Sequence, residues 1–410
     1  MKPFKRVVLL VLDSVGIGEA KDAKDFGDAG SHTLGHIVEW FKSHSYNFEA
    51  PNLCRWGLSE ILPQLKNPQI PAPQAAHGIM MERSPGKDTT TGHWEIAGSL
   101  IKNQFPTYPD GFPKDLLDEW AKVNNLKGYL GNKSASGTAI IDEYGVEHIQ
   151  SSKPIVYTSA DSVLQIACSE ESFGLERLYS ICQSARKFMD PLHIGRVIAR
   201  PFVGSQPGSF KRTEHRKDFS IPPPPNNMLD LIVKNNKFVA GVGKIKDIFA
   251  YRSVTMSNPT GNNEKTFEGV LSFLKETKNQ SGLIFANLID FDMHYGHRRD
   301  PKGYGDCILA FDAKIPQLES ALSEDDLLII TADHGNDPTY KGNDHTRENV
   351  PLFVFSKSPN FYPIHLGFLN GFGHVARLCL DALGLEKESP LLACYPETHN
   401  LLKHLTGNPS

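Results

Sequence analysis

Near its start the chain reads Val7-Val8-Leu9-Leu10-Val11-Leu12-Asp13, and this stretch decides the fold class. Its six apolar residues form a continuous run, which is typical of a strand buried on both faces. A carboxylate follows directly, at Asp13. Ligands of open α/β sheets bind at the carboxyl ends of the strands, so Asp13 is a candidate functional residue.

Further apolar runs have the same character, and helical patterns lie between them. The predicted strands are Val7–Leu12, Phe238–Val242, Leu283–Leu288, Leu327–Thr331 and Leu352–Phe355. The predicted helices include Glu264–Thr277 and Gly305–Ser323. Continuous apolar strands that alternate with helices predict a doubly wound α/β fold, in which helices cover both faces of a parallel sheet.

Acidic residues also follow the third and fourth of these runs. Asp290 and Asp292 come after Leu283–Leu288, and Asp333 with His334 comes after Leu327–Thr331. An aspartate after a strand is also a common helix N-cap, and this alternative stays open for each acid taken alone. Three such acids with histidines beside them instead favour a site at one edge of the sheet.

The middle of the chain has a different character. Asn103–Pro113 and the polyproline stretch Ile221–Asn227 have the composition of linkers. We therefore predict a core domain formed by residues 1–103 and 222–410. A smaller α+β cap domain, residues 104–221, is inserted into it, and the two linkers act as hinges.

Composition excludes some classes of protein. The chain has 410 residues, a formal net charge of −4, 40% hydrophobic and 22% charged residues. This balance argues against a general nucleic-acid binder or membrane-surface protein. Six cysteines without a C-x-x-C pair are typical of a reducing compartment. No run approaches the roughly 18 apolar residues of a membrane span. We expect a cytoplasmic protein without an obligate protein partner.

Metal-ligating residue types are concentrated in the C-terminal part. They occur as Asp292-x-x-x-x-His297, Asp333-His334-Gly335 and His345, and Asp13 adds a carboxylate from the N-terminal part. Carboxylate oxygens and imidazole nitrogens bind divalent metals of the manganese and zinc type. One ion needs fewer ligands than this group provides, so the sequence predicts two ions.

A candidate nucleophile lies in Gly86-Lys87-Asp88-Thr89-Thr90-Thr91-Gly92-His93-Trp94-Glu95. This segment is not a phosphate-binding P-loop, because Met81 and Asp88 stand where that pattern requires glycine and serine or threonine. The Thr89 hydroxyl precedes a Gly-His turn, and it needs a metal ion or a base to become nucleophilic. A polar turn that caps a helix is the open alternative.

Together these residues resemble the alkaline phosphatase superfamily. The resemblance rests on Asp13, Thr89 ahead of Gly92-His93, Asp292 with His297, Asp333-His334-Gly335 and His345. Four segments are similar specifically to the phosphopentomutase family, and the likeness extends over essentially the whole chain. These segments are Gly86–Glu95, Asp290–Asp292, Gly296–Asp300 and Thr331–Asp337.

The resemblance implies a role for each matching residue. One metal ion would be bound by Asp292, His297 and His345. The other would be bound by Asp13, Asp333 and His334, with the Thr89 oxygen completing the site. The family's usual metal is manganese. Its members interconvert ribose 1-phosphate and ribose 5-phosphate, and the 2-deoxy forms, through a phosphothreonine and a 1,5-bisphosphate.

A basic run between His193 and Asp218 matches the need to hold a second phosphate, because arginine binds phosphate in a bidentate manner. The resemblance implies that the distal phosphate is held by Arg196, Arg212 and Lys244. It implies that the sugar is contacted by Ser159, Asp161, Val163 and Ile198. A solvated face is the interpretation for Arg200, Lys211, Arg216 and Lys217. Arg298 and Arg299, next to a metal ligand, are candidates for bracing carboxylates.

Three competing functions fit parts of the pattern. A cofactor-independent phosphoglycerate mutase normally has serine where this chain has Thr89. A plain phosphatase has no need for a basic inserted domain. A sugar-phosphate sensor with an inactive site would not need competent side chains at every ligand position, and this chain has them.

Overall fold

The computed structural model describes residues 3–66, 72–159, 162–385 and 401–407. The chain divides into two compact units. Unit 1 comprises Met1–Asn103 and Pro223–Ser410, and unit 2 comprises Gln104–Pro222. Each unit has its own β-sheet, and each is described separately below.

The strands found in the described residues are β1 (Arg6–Leu12), β2 (Ala76–Met81), β3 (Leu130–Ser134), β4 (Ile155–Thr158), β5 (Val163–Ser169), β6 (Arg196–Val203), β7 (Lys211–Arg212), β8 (Lys217–Ser220), β9 (Phe238–Val242), β10 (Met256–Asn258), β11 (Gly282–Leu288), β12 (Asp326–Thr331), β13 (Val350–Phe355) and β14 (His365–Asn370).

The helices of the same residues are α1 (Thr33–Ser43), α2 (Pro51–Arg55), α3 (Leu58–Ile61), α4 (Thr89–Ile96), α5 (Lys114–Val123), α6 (Gly137–Ser151), α7 (Leu175–Met189), α8 (Met228–Lys234), α9 (Ile245–Ile248), α10 (Asn263–Glu276), α11 (Pro301–Asp312), α12 (Ile315–Ala321), α13 (Gly373–Ala382) and α14 (Leu401–Leu405). Short 3₁₀ turns occur at Ala23–Phe26, Pro63–Leu65 and Asp190–Leu192, and a π-helical turn at Phe291–Gly296.

The sheet of unit 1 has the strand order β10-β9-β11-β1-β12-β13-β2-β14. Its central strand β1 pairs in parallel with β11 and β12, and all seven residues of β1 are buried. Each large apolar side chain buried in this way contributes about 1.5–3 kcal/mol relative to exposure. The prediction of an α/β fold is confirmed, and every predicted strand is present.

The prediction that all these strands run in parallel is wrong for the last of them. β13 is antiparallel to both β12 and β2. It is an inner strand with five of six residues buried, so it has the apolar pattern of a parallel strand. Residues 332–349 leave β12 at its carboxyl end and contain no helix. The chain therefore enters β13 from that same end.

The predicted helix Gly305–Ser323 is in fact two helices, α11 and α12. Pro316 stands in the first turn of α12, where its missing N–H is tolerated. A helix continuing from α11 would need that N–H to bond to Asp312, so the break occurs just before the proline.

The predicted linker Asn103–Pro113 is only partly a linker. It has no helix or strand, but Phe112 is buried and packs with Leu117 and Trp120 in a core of unit 2. An aromatic residue in a Pro- and Gly-rich stretch is thus an anchor for the first helix of that unit, α5.

Unit 2 has a mixed sheet in the order β3-β4-β5-β6-β7, with β8 paired to β6. Alternate residues of its strands face two separate cores. Val156 and Leu164 pack with α5 and α7, whereas Ile155 and Tyr157 pack with α6. Helices thus cover both faces of this sheet, and period-two alternation decides which side chain enters which core.

None of the helices described is long and apolar enough to cross a membrane. Five cysteines in the described ranges are free thiols, namely Cys54, Cys168, Cys182, Cys307 and Cys379. Cys394 lies outside the described residues.

Candidate active site

Three neighbouring parallel strands bring acidic residues to one edge of the unit 1 sheet. β11, β1 and β12 lie side by side, and Asp292, Asp13 and Asp333 follow their carboxyl ends. Among the described residues, side chains whose ligand atoms lie within 4.8 Å of one another form two groups that could hold a metal ion: Asp292, His297 and His345, and Asp13, Asp292 and His334.

The first group is built around Asp292, in the π-helical turn after β11. Single-turn π-helices are frequent at functional sites. His297 Nε2 lies 3.2 Å from Asp292 Oδ2, and His345 Nε2 lies 3.4 Å from Asp292 Oδ1. The Nε2 atoms of the two histidines are 3.1 Å apart. Two imidazole nitrogens that converge on a carboxylate are the donor set expected for a divalent metal.

The hydrogen bonds of two histidines fix which nitrogen faces the site. His297 Nδ1 donates to the Asn343 carbonyl oxygen at 2.8 Å, and His334 Nδ1 donates to the Gly335 carbonyl oxygen at 3.0 Å. In the neutral ring each Nε2 then keeps its lone pair. Metal-binding histidines are commonly oriented by such backbone acceptors.

The second group joins Asp13 to His334, with 3.5 Å between Asp13 Oδ1 and His334 Nε2. Asn287 Nδ2 donates to the other oxygen of Asp13 at 3.0 Å. Asp13 Oδ1 is buried and has no hydrogen-bond partner among the residues that the structure describes. An unsatisfied buried carboxylate oxygen is costly, and a divalent ion would satisfy it. These residues therefore fit a metal ion.

Asp333, which the sequence also assigns to this metal, lies beside the second group. Its Oδ2 is 3.5 Å from His334 Nε2 and 3.1 Å from His93 Nδ1. His93 Nδ1 uses its proton to bond the Thr89 carbonyl oxygen at 2.9 Å, so its relation to Asp333 is a close contact without a hydrogen bond. The resemblance assigns Asp292 to the first ion alone, whereas in the structure the Asp292 carboxylate also lies within ligand distance of Asp13 and His334.

The turn after β1 connects these carboxylates. Ser14 has a left-handed backbone with φ of 73°, which is uncommon outside glycine. Its N–H donates to Asp333 Oδ1 at 3.1 Å. The buried Tyr304 hydroxyl donates to the Ser14 carbonyl oxygen at 2.8 Å and lies 2.9 Å from its Oγ. The strained turn thus holds the segment after Asp13 against Asp333.

The candidate nucleophile begins helix α4. Asp88 is the N-cap, and its side chain accepts hydrogen bonds from the N–H groups of Thr90 and Thr91. A Cβ at Gly92 would lie 2.2 Å from the Asp333 carbonyl oxygen, so only glycine permits this approach of α4 to the end of β12. Thr89 Oγ1 consequently lies 3.2 Å from His334 Nε2.

Mutual repulsion and attraction perturb the pKa values of this cluster. Burial, followed by the Asp333 and Asp292 carboxylates, raises the pKa of Asp13 to about 7. Burial acts to lower the pKa of His334, but the surrounding carboxylates raise it to about 9. Burial acts to raise the pKa of Asp292, but His345 and other imidazoles bring it well below its usual range. So much negative charge in one buried place favours binding of cations.

The predicted substrate residues are distributed over both units. In unit 2, Val163 pairs directly with Arg196 across β5 and β6, and Ile198 is two residues further along. Arg212 pairs with Phe202 at the opposite end of β6. Ser159 follows β4, and Asp161 lies outside the described residues. In unit 1, Lys244 is exposed and close enough to Asp13 to lower the pKa of that carboxyl.

Two amide side chains in the site escaped the sequence interpretation. Asn336 Nδ2 donates to Asp292 Oδ1 at 2.7 Å, and Asn287 bonds Asp13. A signal for Asn287 was present, because it is the one polar side chain in the otherwise apolar run Leu283–Leu288. Tyr304 carries no comparable signal, since tyrosine in a helix is usually a packing residue.

Sequence comparison agrees with this geometry. The family model described as the metalloenzyme superfamily matches residues 5–387. The phosphopentomutase of Caldanaerobacter subterraneus subsp. tengcongensis is 51% identical over 87% of this chain and 88% of its own length. That of Carboxydothermus hydrogenoformans is 49% identical over 93% of this chain and 97% of its own. The chain belongs to the phosphopentomutase family.

Membership of the phosphopentomutase family confirms two predictions. The chain is a metal-dependent phosphotransferase of the isomerase class, and its unit 1 is an alkaline-phosphatase-like α/β core. Among solved structures, Leishmania mexicana phosphoglycerate mutase is similar over 93% of this chain and 96% of its own, with 12% identity and a TM-score of 0.47. Such a distant structure adds nothing to the family assignment, which rests on sequence.

Proposed function

We propose that the enzyme interconverts ribose 1-phosphate and ribose 5-phosphate, and their 2-deoxy forms, through a phosphothreonine at Thr89 and a 1,5-bisphosphate. The observation that carries this proposal is the position of Thr89 Oγ1, 3.2 Å from His334 Nε2 at the edge of two groups of metal-ligating side chains. A hydroxyl so placed is suited to accept and pass on a phosphoryl group.

Two divalent ions, which we propose are manganese, would be bound by Asp292, His297 and His345, and by Asp13, Asp333 and His334 with Thr89. When bound, such ions neutralise phosphoryl charge and favour ionisation of a bound hydroxyl. The chain's own residues do the remaining work. Backbone acceptors hold the His297 and His334 rings with Nε2 towards the site, and Asn336 and Asn287 orient the carboxylates.

The start of helix α4 supports the same role for Thr89. Asp88 satisfies the N–H groups of Thr90 and Thr91, so the first turn is rigid before substrate binds. The positive end of the helix dipole lies at Thr89 and favours a negatively charged phosphate on that residue. Thr89 therefore lies on a helix that is already rigid, so no conformational entropy is lost in ordering it during the reaction.

We propose that the non-transferred phosphate is held by Arg196, Arg212 and Lys244, and the sugar by Ser159, Asp161, Val163 and Ile198. Support comes from the Val163–Arg196 pair on adjacent strands and from Lys244, whose charge is felt at Asp13. The substrate is thus a small pentose phosphate. A cytoplasmic location, and the absence of nucleic-acid, membrane and obligate protein partners, stay predictions.

The test is manganese-dependent conversion of ribose 1-phosphate to ribose 5-phosphate by the purified enzyme. 3-Phosphoglycerate and p-nitrophenyl phosphate serve as control substrates for the mutase and phosphatase alternatives. We expect turnover of the pentose phosphate that is lost on chelation and restored by Mn²⁺. Faster turnover of either control substrate would contradict the proposal.

A further inference from the structure

The guanidinium group of Arg299 donates hydrogen bonds to three segments that surround Asp292, His297 and His345. Arg299 follows His297 by two positions and has a left-handed backbone with φ of 54°. Its donors reach the carbonyl oxygens of Gly296, Asp337, Gly342 and Asp344 and the side-chain oxygen of Asn336. No carboxylate is among these acceptors, and the Asp337, Asp344 and Asp292 carboxylates act on Arg299 only through their charge.

The contact with Asn336 determines how that amide faces Asp292. Arg299 has donors only, and its Nη1 lies 2.8 Å from Asn336 Oδ1. The amide nitrogen of Asn336 must then point the other way, where it donates to Asp292 Oδ1 at 2.7 Å. A Cβ at Gly296 would come within 2.7 Å of the Asn336 side chain, so the amide is also packed in place. Arg299 therefore sets the orientation of Asp292 through one intermediary.

The contacts with Gly342 and Asp344 act on the two histidines. They hold the backbone on either side of Asn343, whose carbonyl oxygen accepts the Nδ1 proton of His297 at 2.8 Å. Asp344 directly precedes His345. The same guanidinium thus fixes the carbonyl that orients one ring and the segment that carries the other.

The second group of ligands has different supports. Asp13 is held by Asn287 Nδ2 at 3.0 Å, and His334 by the Gly335 carbonyl oxygen at 3.0 Å. Neither of these contacts involves Arg299. Arg299 reaches the second group only through Asp292, which both groups share, so a change at Arg299 should affect the first group more than the second.

We propose that Arg299 is a positioning residue that preorganises Asp292, His297 and His345 for one divalent ion. The inference rests on the proposed metal-dependent function, but it concerns ion binding and needs no turnover for its test. The planar fork of arginine is required, because a lysine ammonium cannot span acceptors on three segments.

The experiment is calorimetric titration of metal-free protein with Mn²⁺. Wild type, Arg299→Ala and Arg299→Lys are compared with Arg298→Ala, a neighbouring exposed arginine for which the described residues show no hydrogen bond or ion pair. We expect two binding events in wild type and Arg298→Ala. In both Arg299 variants one event should weaken by about 10- to 100-fold, the usual effect of removing such a support. The other event should weaken less, because Arg299 reaches only Asp292 among Asp13, Asp292 and His334.

Rescue separates positioning from a general loss of structure. Added methylguanidinium should restore the weakened event in Arg299→Ala, whereas ethylammonium should not. Wild-type affinity for both ions in Arg299→Ala would overturn the proposal. So would equal weakening of both events together with a lower melting temperature of the metal-free variant. Failure of the proposed function would look different, as a wild-type protein that binds two ions but does not isomerise pentose phosphates.

Discussion

Three consecutive threonines at the start of α4 differ in what their hydroxyls contact. Thr89 Oγ1 meets His334 Nε2, whereas Thr91 Oγ1 donates to the capping carboxylate of Asp88 at 2.5 Å. The side chain of Thr90 makes no hydrogen bond in the part of the chain that the structure describes. Replacing each threonine by alanine therefore gives a matched series. Thr89→Ala removes the proposed nucleophile, Thr90→Ala removes a hydroxyl without a hydrogen bond to the described residues, and Thr91→Ala removes a hydroxyl that contacts the helix cap.

Thr89→Ala should abolish isomerisation while fold and metal content stay nearly intact, because the variant loses only the hydroxyl that we propose accepts phosphate. Intact-mass analysis after incubation with the bisphosphate should show one added phosphate on wild type and none on the variant. Thr90→Ala should behave as wild type. Thr91→Ala should be partly active, because it removes one hydrogen bond to the capping carboxylate of Asp88, and a hydrogen bond to a charged group contributes about 1.5–3 kcal/mol. Substantial isomerisation by Thr89→Ala would refute the assignment.

Metal binding should strengthen as the pH rises. Asp13, with a pKa of about 7, and His334, with a pKa of about 9, hold protons in the metal-free protein that a bound ion must displace. Below about pH 7 both groups compete with the ion, and up to about pH 9 His334 alone does. Affinity for Mn²⁺ should thus rise about tenfold or more per pH unit between about pH 6 and pH 7.

Calorimetric titration in two buffers with different ionisation enthalpies measures the protons released on binding. We expect a net release at pH 7 that becomes smaller as the pH approaches 9. An affinity that does not change between pH 6 and pH 8 would show that these two groups are already deprotonated without metal.

At the scale of single residues, the sequence indicates the charged metal-ligating side chains but not the residues that orient them. Asp292 and His297 stand out because acids and histidines are rare in tight groups. Asn336 does not, because an asparagine in a loop has many ordinary roles. Its function depends on the through-space neighbours Arg299 and Asp292, which no local pattern reveals.

At the scale of elements, the site depends on how closely α4 approaches the end of β12. Gly92 makes this approach possible, because its missing Cβ leaves room for the Asp333 carbonyl oxygen. Thr89 and Asp333 belong to different elements, so the distance between them depends on this close approach. A displaced helix would move the Thr89 hydroxyl away from His334.

Gly92→Ala should therefore lower activity much more than stability. The added methyl group would lie 2.2 Å from the Asp333 carbonyl oxygen, and such overpacking costs about 1–3 kcal/mol. We expect a folded protein with strongly reduced isomerisation and weaker metal binding. Gly261→Ala is the matched control, because a Cβ there meets nothing within 4 Å in the described residues. Equal activity of both variants would show that the α4–β12 contact is not needed.

Elements were predictable where one pattern has one structural meaning. β1 and β11 are continuous apolar runs followed by acids, and they are parallel neighbours as expected. β13 has the same pattern with the opposite direction, because burial on both faces gives an apolar run whichever way a strand runs. The direction of β13 is set by residues 332–349, which enter it from the carboxyl end of β12. No sequence pattern predicts that path.

At the scale of the whole molecule, the chain leaves unit 1 after Asn103 and returns to it at Pro223. The family could be inferred from sequence because its motifs occur in order along both parts of unit 1. The strand order of unit 2 could not, since its sheet mixes parallel and antiparallel pairs whose apolar patterns are alike.

Arg196→Ala should change the fate of the phosphoryl group as well as substrate affinity. A mutase must hold the bisphosphate between its two half-reactions, because water is always a competing acceptor. We propose that Arg196 and Lys244 provide this hold through the second phosphate. Replacing either by alanine should raise KM for ribose 5-phosphate and let bisphosphate escape. Release of inorganic phosphate should then rise relative to isomerisation.

Both products are measurable in one assay, as inorganic phosphate released and pentose phosphate isomerised. Lys122→Ala, at an exposed position of α5 in the same unit as Arg196, controls for the loss of a surface cation. It should leave the ratio of the two products unchanged. If Arg196→Ala slows both products in constant proportion, the arginine only contributes binding energy. Retention of the bisphosphate would then have to come from other residues, because a residue that keeps water and bisphosphate apart must alter that ratio when it is removed.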